Sequence, residues 1–281
     1  MDVTRRNFIK LAGAATVLGG AGLAGYELFA KGEAPPLPKQ DEQTEKKCWA
    51  MAIDIKACQG EGECTKCFDA CHSKHNVPFL LDEDGVVDVL HEVKWLWKEQ
   101  FEHVLPSQEG EHLKESLKES EVLALCNHCD NPPCVRVCPT KATFKREDGI
   151  VIMDFHRCIG CRFCMAGCPY GSRSFNWFDP RKKDRLKEIS DNFPTRTQGV
   201  VEKCNFCAEL LGSAPPASPG RVRRPPQQKM PYCVEACEVD ALTFGDLNEE
   251  HSPLHELLRE RFALRRKTGL GTGPQVYYLI G

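Results

Sequence analysis

The sequence predicts an α+β chain in which a small cysteine-rich unit occurs twice and is widened by loop and helix insertions. Three observations predict it. Sixteen of the seventeen cysteines fall into four groups of four. Two of those groups are followed by the same short strand pattern, Ala142 to Phe144 and Ala241 to Phe244, which marks an internal repeat. After residue 30 no apolar run approaches membrane-spanning length, so the remainder must bury a globular core.

A chain of 281 residues is long enough for one or two domains. A formal net charge of −3 argues against general affinity for nucleic acid, which needs a strongly basic surface. Arg5 and Arg6, in the run Thr4-Arg5-Arg6-Asn7-Phe8-Ile9-Lys10, precede a segment rich in Ala, Gly and Leu. This resembles a twin-arginine export signal, which implies passage of a folded, cofactor-loaded protein to the periplasmic side of the cytoplasmic membrane. Leu11 to Ala30 is near bilayer-spanning length, although Glu27 weakens it, and Gly22-Leu23-Ala24 offers a small-residue cleavage site. Cleavage and retention as an anchor both stay open. Residues 31–47 form a polar, Pro-containing linker.

The first cysteine group is Cys58-x5-Cys64-x2-Cys67-x3-Cys71. After it, an Asp84-Gly85 turn and the β-branched run Val86, Val87 and Val89 predict a short strand. Trp95, Trp97 and Phe101 predict an amphipathic helix whose apolar residues are core. Residues 107–120 are charged and predicted exposed or helical. The second group is Cys126-x2-Cys129-x4-Cys134-x3-Cys138-Pro139. Ala142 to Phe144, then Glu147-Asp148-Gly149, then Ile150 to Ile152 predict a hairpin with Asp-Gly at its turn. The third group, Cys158-x2-Cys161-x2-Cys164-x3-Cys168-Pro169, is the bacterial ferredoxin run itself. The fourth, Cys204-x2-Cys207-x25-Cys233-x3-Cys237, is split by an insertion over 208–232. Pro215, Pro216, Pro219, Pro225 and Pro226 make that insertion a surface loop. Its Arg221, Arg223 and Arg224 are a solvated face or a contact for an acidic partner. A charged helix is expected from about Leu254 to Arg265, before a tail ending in Tyr277-Tyr278.

Three closely spaced loop cysteines can hold one cubane, and the fourth of each run, turned away by a following proline at Cys138 and Cys168, reaches the neighbouring cubane. Four groups of four therefore predict iron–sulfur clusters. Zinc also uses Cys-x2-Cys pairs but needs no such runs, and Cys-x2-Cys-His, the mark of attached haem, is absent. His72, His75, His128 and His156 sit near candidate ligands and are read as solvated or hydrogen-bonded neighbours. Cys48 is left over and is read as non-ligating, with a replacement-ligand role kept open. No hydrolase, phosphate-loop or nucleophile signature appears, so no catalytic residues are assigned.

On these groups, on Cys126-Asn127-His128-Cys129 and Cys168-Pro169-Tyr170-Gly171, and on the tail Leu270-Gly271-Thr272-Gly273-Pro274, the sequence resembles the ferredoxin-like iron–sulfur subunits of membrane oxidoreductases, over roughly residues 48–281. The twin-arginine start and the expanded first group resemble the DsrO type, from the sulfite-reduction-associated DsrMKJOP complex. The resemblance implies four [4Fe–4S] clusters in duplicated bacterial dicluster ferredoxin-like units. By position, one unit uses Cys126, Cys129, Cys134 and Cys168, then Cys158, Cys161, Cys164 and Cys138. The other uses Cys58, Cys64, Cys67 and Cys237, then Cys204, Cys207, Cys233 and Cys71. It further implies a signal or anchor at 1–30, an outer unit from 48–120 with 197–281, and an inner unit at 121–196. The implied partners are an NrfD/PsrC-type quinone-reactive membrane subunit and, in the DsrO-like case, a multiheme cytochrome c. Two other readings stay open: the electron-transfer subunit of a molybdopterin-dependent reductase, and a structural zinc module. Glu238 stands where proline follows Cys138 and Cys168, and is expected to lower the potential of a nearby cluster.

Overall fold

The computed structural model describes residues 47–59, 64–80, 88–106, 120–182, 190–191, 193–211 and 230–280. The segment expected to act as an export signal, with Arg5 and Arg6, the expected linker up to residue 46, Val86 and Val87, residues 107–119 and the Pro- and Arg-rich part of the insertion (212–229) lie outside them. Residues 46–281 group as one compact unit.

Strand β1 (Trp49–Asp54) is the centre of the fold. It pairs antiparallel with β8 (Leu242–Asp246), with Met51 opposite Phe244, and parallel with β10 (Val276–Leu279), with Met51 opposite Val276. β9 (Ala263–Leu264) closes the order β8-β1-β10-β9. Ala50 to Ile53 are wholly buried, as a strand covered on both faces must be. Met51 and Ile53 join the large core with Phe244 and Tyr278. Ala50 and Ala52 face Leu254 of the helix Pro253–Glu260. The small residues let that helix sit close. A Cβ on Gly245 would stand 2.9 Å from the Leu254 Cβ. Ser252 caps the helix by accepting from His255 N at 3.2 Å, and Pro253 starts it. The helix ends at Glu260, short of the expected Arg265, because Ala263 and Leu264 pair with β10 instead.

The stretch expected as an amphipathic helix is instead strand β2 (Leu96–Gln100) followed by a single turn, Phe101–Val104. β2 pairs residue for residue with β3 (Glu121–Leu125), and that long-range ladder overrides the local pattern. Trp95, Trp97 and Phe101 are core, as expected. Val89 lies in a turn at 71% exposure rather than in a strand; Asp88 Oδ1 accepts from Leu90 N at 3.2 Å there. The expected hairpin forms: β4 (Thr143–Lys145) pairs with β5 (Val151–Met153), and Gly149 at φ +85° takes the left-handed turn position. β6 (Ser174–Phe175) pairs with β7 (Val201–Glu202).

Around β7 lies a fully buried ion pair, Arg196 with Glu202. Glu202 also accepts from Trp95 Nε1 at 2.9 Å and from the Asn176 amide, and Arg196 donates to the His75 carbonyl. Among the described residues no helix is long and apolar enough to cross a membrane.

Candidate metal centres

The candidate ligands sit on short, stiff pieces of backbone. Cys67 and Cys71 ride the helix Lys66–His75, which ends where Asn76 turns left-handed at φ 52°. The Asn76 side chain then holds Ser190 and Phe193. Cys134, Cys164 and Cys233 each lie in a one-turn helix, Pro133–Arg136, Phe163–Ala166 and Tyr232–Glu235. Proline begins the first and precedes the third, fixing where the turn starts without losing a needed N–H. None of the seventeen cysteines is joined in a disulfide.

Cys58, Cys64, Cys67 and Cys237 line a single cavity, with Lys66, Lys98 and Glu238 around it. Burial, and then the thiols of Cys58, Cys237 and Cys64, push the Cys67 thiol up to about 12. Burial followed by Cys204, Cys207 and Cys233 drives Cys71 well above its ordinary range. Burial, then Cys126, and further Cys134 and Cys168, raise Cys129 to about 12, against the Thr272 hydroxyl. Burial also raises Cys164, where Arg173 opposes and Cys134 and Cys158 add to the rise. Cys138 and Cys158 pack against the small core that holds Cys134 and Cys164. Cys161 is the exposed cysteine. Between the groups, the Cys233 thiol feels Cys67, Cys204 feels Cys126, and Cys164 feels Cys134.

Cys48 stands apart. After burial, the charges that act on its thiol come from Asp130, Asp246 and Lys145 and from none of the other cysteines, and Asp246 accepts its backbone N–H at 2.8 Å. Of the histidines near the thiols, His75 and His128 are hydrogen-bonded through their rings, whereas the buried Nε2 of His72 has no hydrogen-bond partner among the described residues. His75 is buried, with Nδ1 2.9 Å from the Cys71 carbonyl and Nε2 2.8 Å from Glu209. His75, Cys207 and Glu209 bring their donor atoms within 4.8 Å of one another, but both ring nitrogens of His75 are engaged as just described. His128 stacks on Phe206 at 3.7 Å between ring centroids and accepts from Val151 N at 3.1 Å. Glu238 is paired with Lys66, which offsets the charge expected to act on the neighbouring thiols.

Three charged residues beside the thiols escaped sequence reasoning: Arg173, Lys203 and Glu209. Arg173 and Lys203 are buried, and their charges act on Cys134; Lys203 also acts on Cys204, and the charge of Glu209 acts on Cys71, Cys204 and Cys207. Lys203 directly precedes Cys204 and Glu209 lies two residues after Cys207, so proximity in sequence was a usable signal for both. Arg173 gave no such signal.

Buried thiols crowded in this way repel one another on ionising, and a soft-ligand metal assembly removes that repulsion. Sets of sulfur alone suit iron–sulfur clusters. The fold and the thiols thus define a ferredoxin-type, cluster-binding protein. Residues 121–184 match the 4Fe-4S dicluster domain family. The chain is 38% identical to an Hdr-like menaquinol oxidoreductase iron-sulfur subunit 1 of Archaeoglobus fulgidus, over 98% of this chain and 97% of that one. It is 37% identical to the iron-sulfur cluster-binding subunit of a menaquinone reductase of Nitratidesulfovibrio vulgaris, over 82% and 88%. An NrfC homolog of Haemophilus influenzae is 32% identical over 98% and 94%. The chain belongs to this family of iron–sulfur electron-transfer subunits related to NrfC.

Proposed function

We propose that the chain is the electron-conducting subunit of a respiratory membrane complex, carrying four [4Fe–4S] clusters between an NrfD/PsrC-type quinone-reactive membrane subunit and a second redox subunit. The observation that carries this reading is the chain of thiol neighbours. Its four sets are Cys58, Cys64, Cys67 and Cys237; Cys71, Cys204, Cys207 and Cys233; Cys126, Cys129, Cys134 and Cys168; and Cys138, Cys158, Cys161 and Cys164. The charge of Cys67 acting on Cys233, of Cys126 on Cys204 and of Cys134 on Cys164 supports that order of the sets. Bound clusters would supply one-electron storage at each position. The chain's residues fix their spacing, exclude water and set their potentials through burial and charge. The sheet that joins β1 to β8 and β10 supports an outer unit made of both chain ends (48–120 with 197–281) around an inner unit (121–196).

The DsrO-like form of this reading adds a multiheme cytochrome c as partner, sulfur metabolism as setting, and export by the twin-arginine route through Arg5 and Arg6. Similarity to menaquinol and menaquinone oxidoreductase subunits supports the quinone side. A second reading, the electron-transfer subunit of a molybdopterin-dependent reductase, draws on 32% identity to a tetrathionate reductase subunit of Salmonella typhimurium, over 99% of this chain and 89% of that one. The test is iron and acid-labile sulfide on anaerobically purified protein, with EPR during stepwise reduction. About sixteen of each per chain are expected. Zinc in place of iron would sink the reading. Haem absorbance or molybdenum in the purified complex separates the two partner assignments.

A further inference from the structure

Three buried cations, Arg173, Lys203 and Arg266, form no ion pair with a carboxylate among the described residues; Arg266 donates to the Val104 carbonyl at 3.1 Å and lies over the Tyr170 ring. Arg173 is 5% exposed and Lys203 1%. Lys203 is satisfied by carbonyls, those of Val151 and Cys204. Arg173 is not. Its Nη1 donates to Thr143 Oγ1 at 3.2 Å and approaches Met153 Sδ at 3.8 Å, while its Nη2 is buried with no hydrogen-bond partner. The contrast with Arg196 is direct, since that buried guanidinium has Glu202 against it. A buried cation left without an anion costs several kcal/mol, so an anion belongs beside Arg173. The nearest candidates are sulfur: the guanidinium charge is felt by Cys134, Cys164 and Cys126. Cys134 and Cys126 belong to one candidate set and Cys164 to the next.

We propose that Arg173 is the shared counter-charge of the two inner cluster positions, and that it makes them the more readily reduced half of the wire. The inference rests on the four-cluster reading above. A cubane held by four thiolates is dianionic when oxidised and trianionic after gaining one electron. A fixed cation beside it therefore favours the reduced form and raises the potential, and a donor to sulfur acts in the same direction. Lys203 adds to this at Cys134. At the Cys71, Cys204, Cys207 and Cys233 set Glu209, of opposite sign, acts on Cys71, Cys204 and Cys207, and Lys203 also acts on Cys204, the residue next to it in the chain. An electron entering at the outer end would thus settle toward the Cys138, Cys158, Cys161 and Cys164 end.

Arg173 is a positioning and tuning residue, so the readout is potential rather than turnover. Metal content of the wild-type full chain comes first: without four clusters the underlying reading fails, whatever Arg173 does. With four present, Arg173→Met is titrated under EPR. Two midpoint potentials are expected to fall and two to stay, with Arg173→Lys restoring most of the loss. Full iron content with no potential moved, with all four moved alike, or with no recovery in Arg173→Lys overturns the proposal. Should Arg173→Met lose iron, pulsed EPR of wild-type protein carrying nitrogen-15 arginine decides instead. Nitrogen coupling to reduced inner clusters supports the assignment, and its absence overturns it.

Discussion

The middle of the chain and its two ends carry the same kind of cysteine run in different electrical settings. Between residues 121 and 182 the runs are close in sequence, and their strands form a local hairpin with Asp148-Gly149 at the turn. Their thiols face Arg173 and Lys203. At the ends, Cys58 to Cys71 meet Cys204 to Cys237 where β1 pairs with β8 and the helix Lys66–His75 packs on Tyr232–Glu235, and there Glu209 acts on Cys71, Cys204 and Cys207, with Lys98 acting on Cys58 and Lys203 on Cys204. A cysteine run fixes which metal assembly can be held. The charges packed beside it fix how readily that assembly takes an electron. One is written in spacing, the other in tertiary contacts.

The strongest way to break the comparison is to remove ligands that are far apart in the chain. Cys64→Ser and Cys237→Ser are each expected to lower iron by about four per chain and to abolish the same EPR signal. Cys48→Ser is expected to lose none. The next largest effect concerns the rivet between the regions. Arg196→Met leaves Glu202 buried without its cation and should cost about 3–5 kcal/mol, read as a lower denaturant midpoint. Glu209→Gln sharpens the electrical contrast: it should raise one outer potential, the opposite direction to Arg173→Met, in the same EPR titration. Tyr278→Phe removes a donor to the buried Leu123 carbonyl at 3.2 Å and should cost about 1–3 kcal/mol in denaturant unfolding. The smallest expected effect is at Asp54. Burial pushes its carboxyl up, but the Arg261 hydrogen bond and the Ala57 N–H win and hold it below the usual range. A depressed folded pKa stabilises above the unfolded value near 3.9 and loses that contribution as pH falls through the folded one. The pair is partly exposed, so under about 1 kcal/mol should vanish on acidification, and Arg261→Ala should remove that part of the acid dependence.

Periodicity and spacing made the β4–β5 hairpin, the candidate thiols and the repeated strand after Cys237 legible in the sequence, because each depends on neighbours a few residues away. The stretch around Trp97 misled because its partner, Val122 to Leu125, is chosen by the core and not by local pattern. The helix after Ser252 ran short of expectation for a similar reason: Ala263 and Leu264 have a strand to join. The partner of Glu238, Lys66, is distant in sequence and came into view only with the fold. Arg173 was illegible for the complementary reason. An arginine soon after a Cys-Pro reads as surface until the fold closes over it.

The central position of β1 also has a consequence for how the protein is made. Its two neighbours, β8 and β10, are translated long after it. A nascent chain therefore presents Cys58 to Cys71 well before Cys237 or the closing strand exists. The central sheet has to wait for Leu279 to emerge, while the β4–β5 hairpin can form as soon as Met153 has.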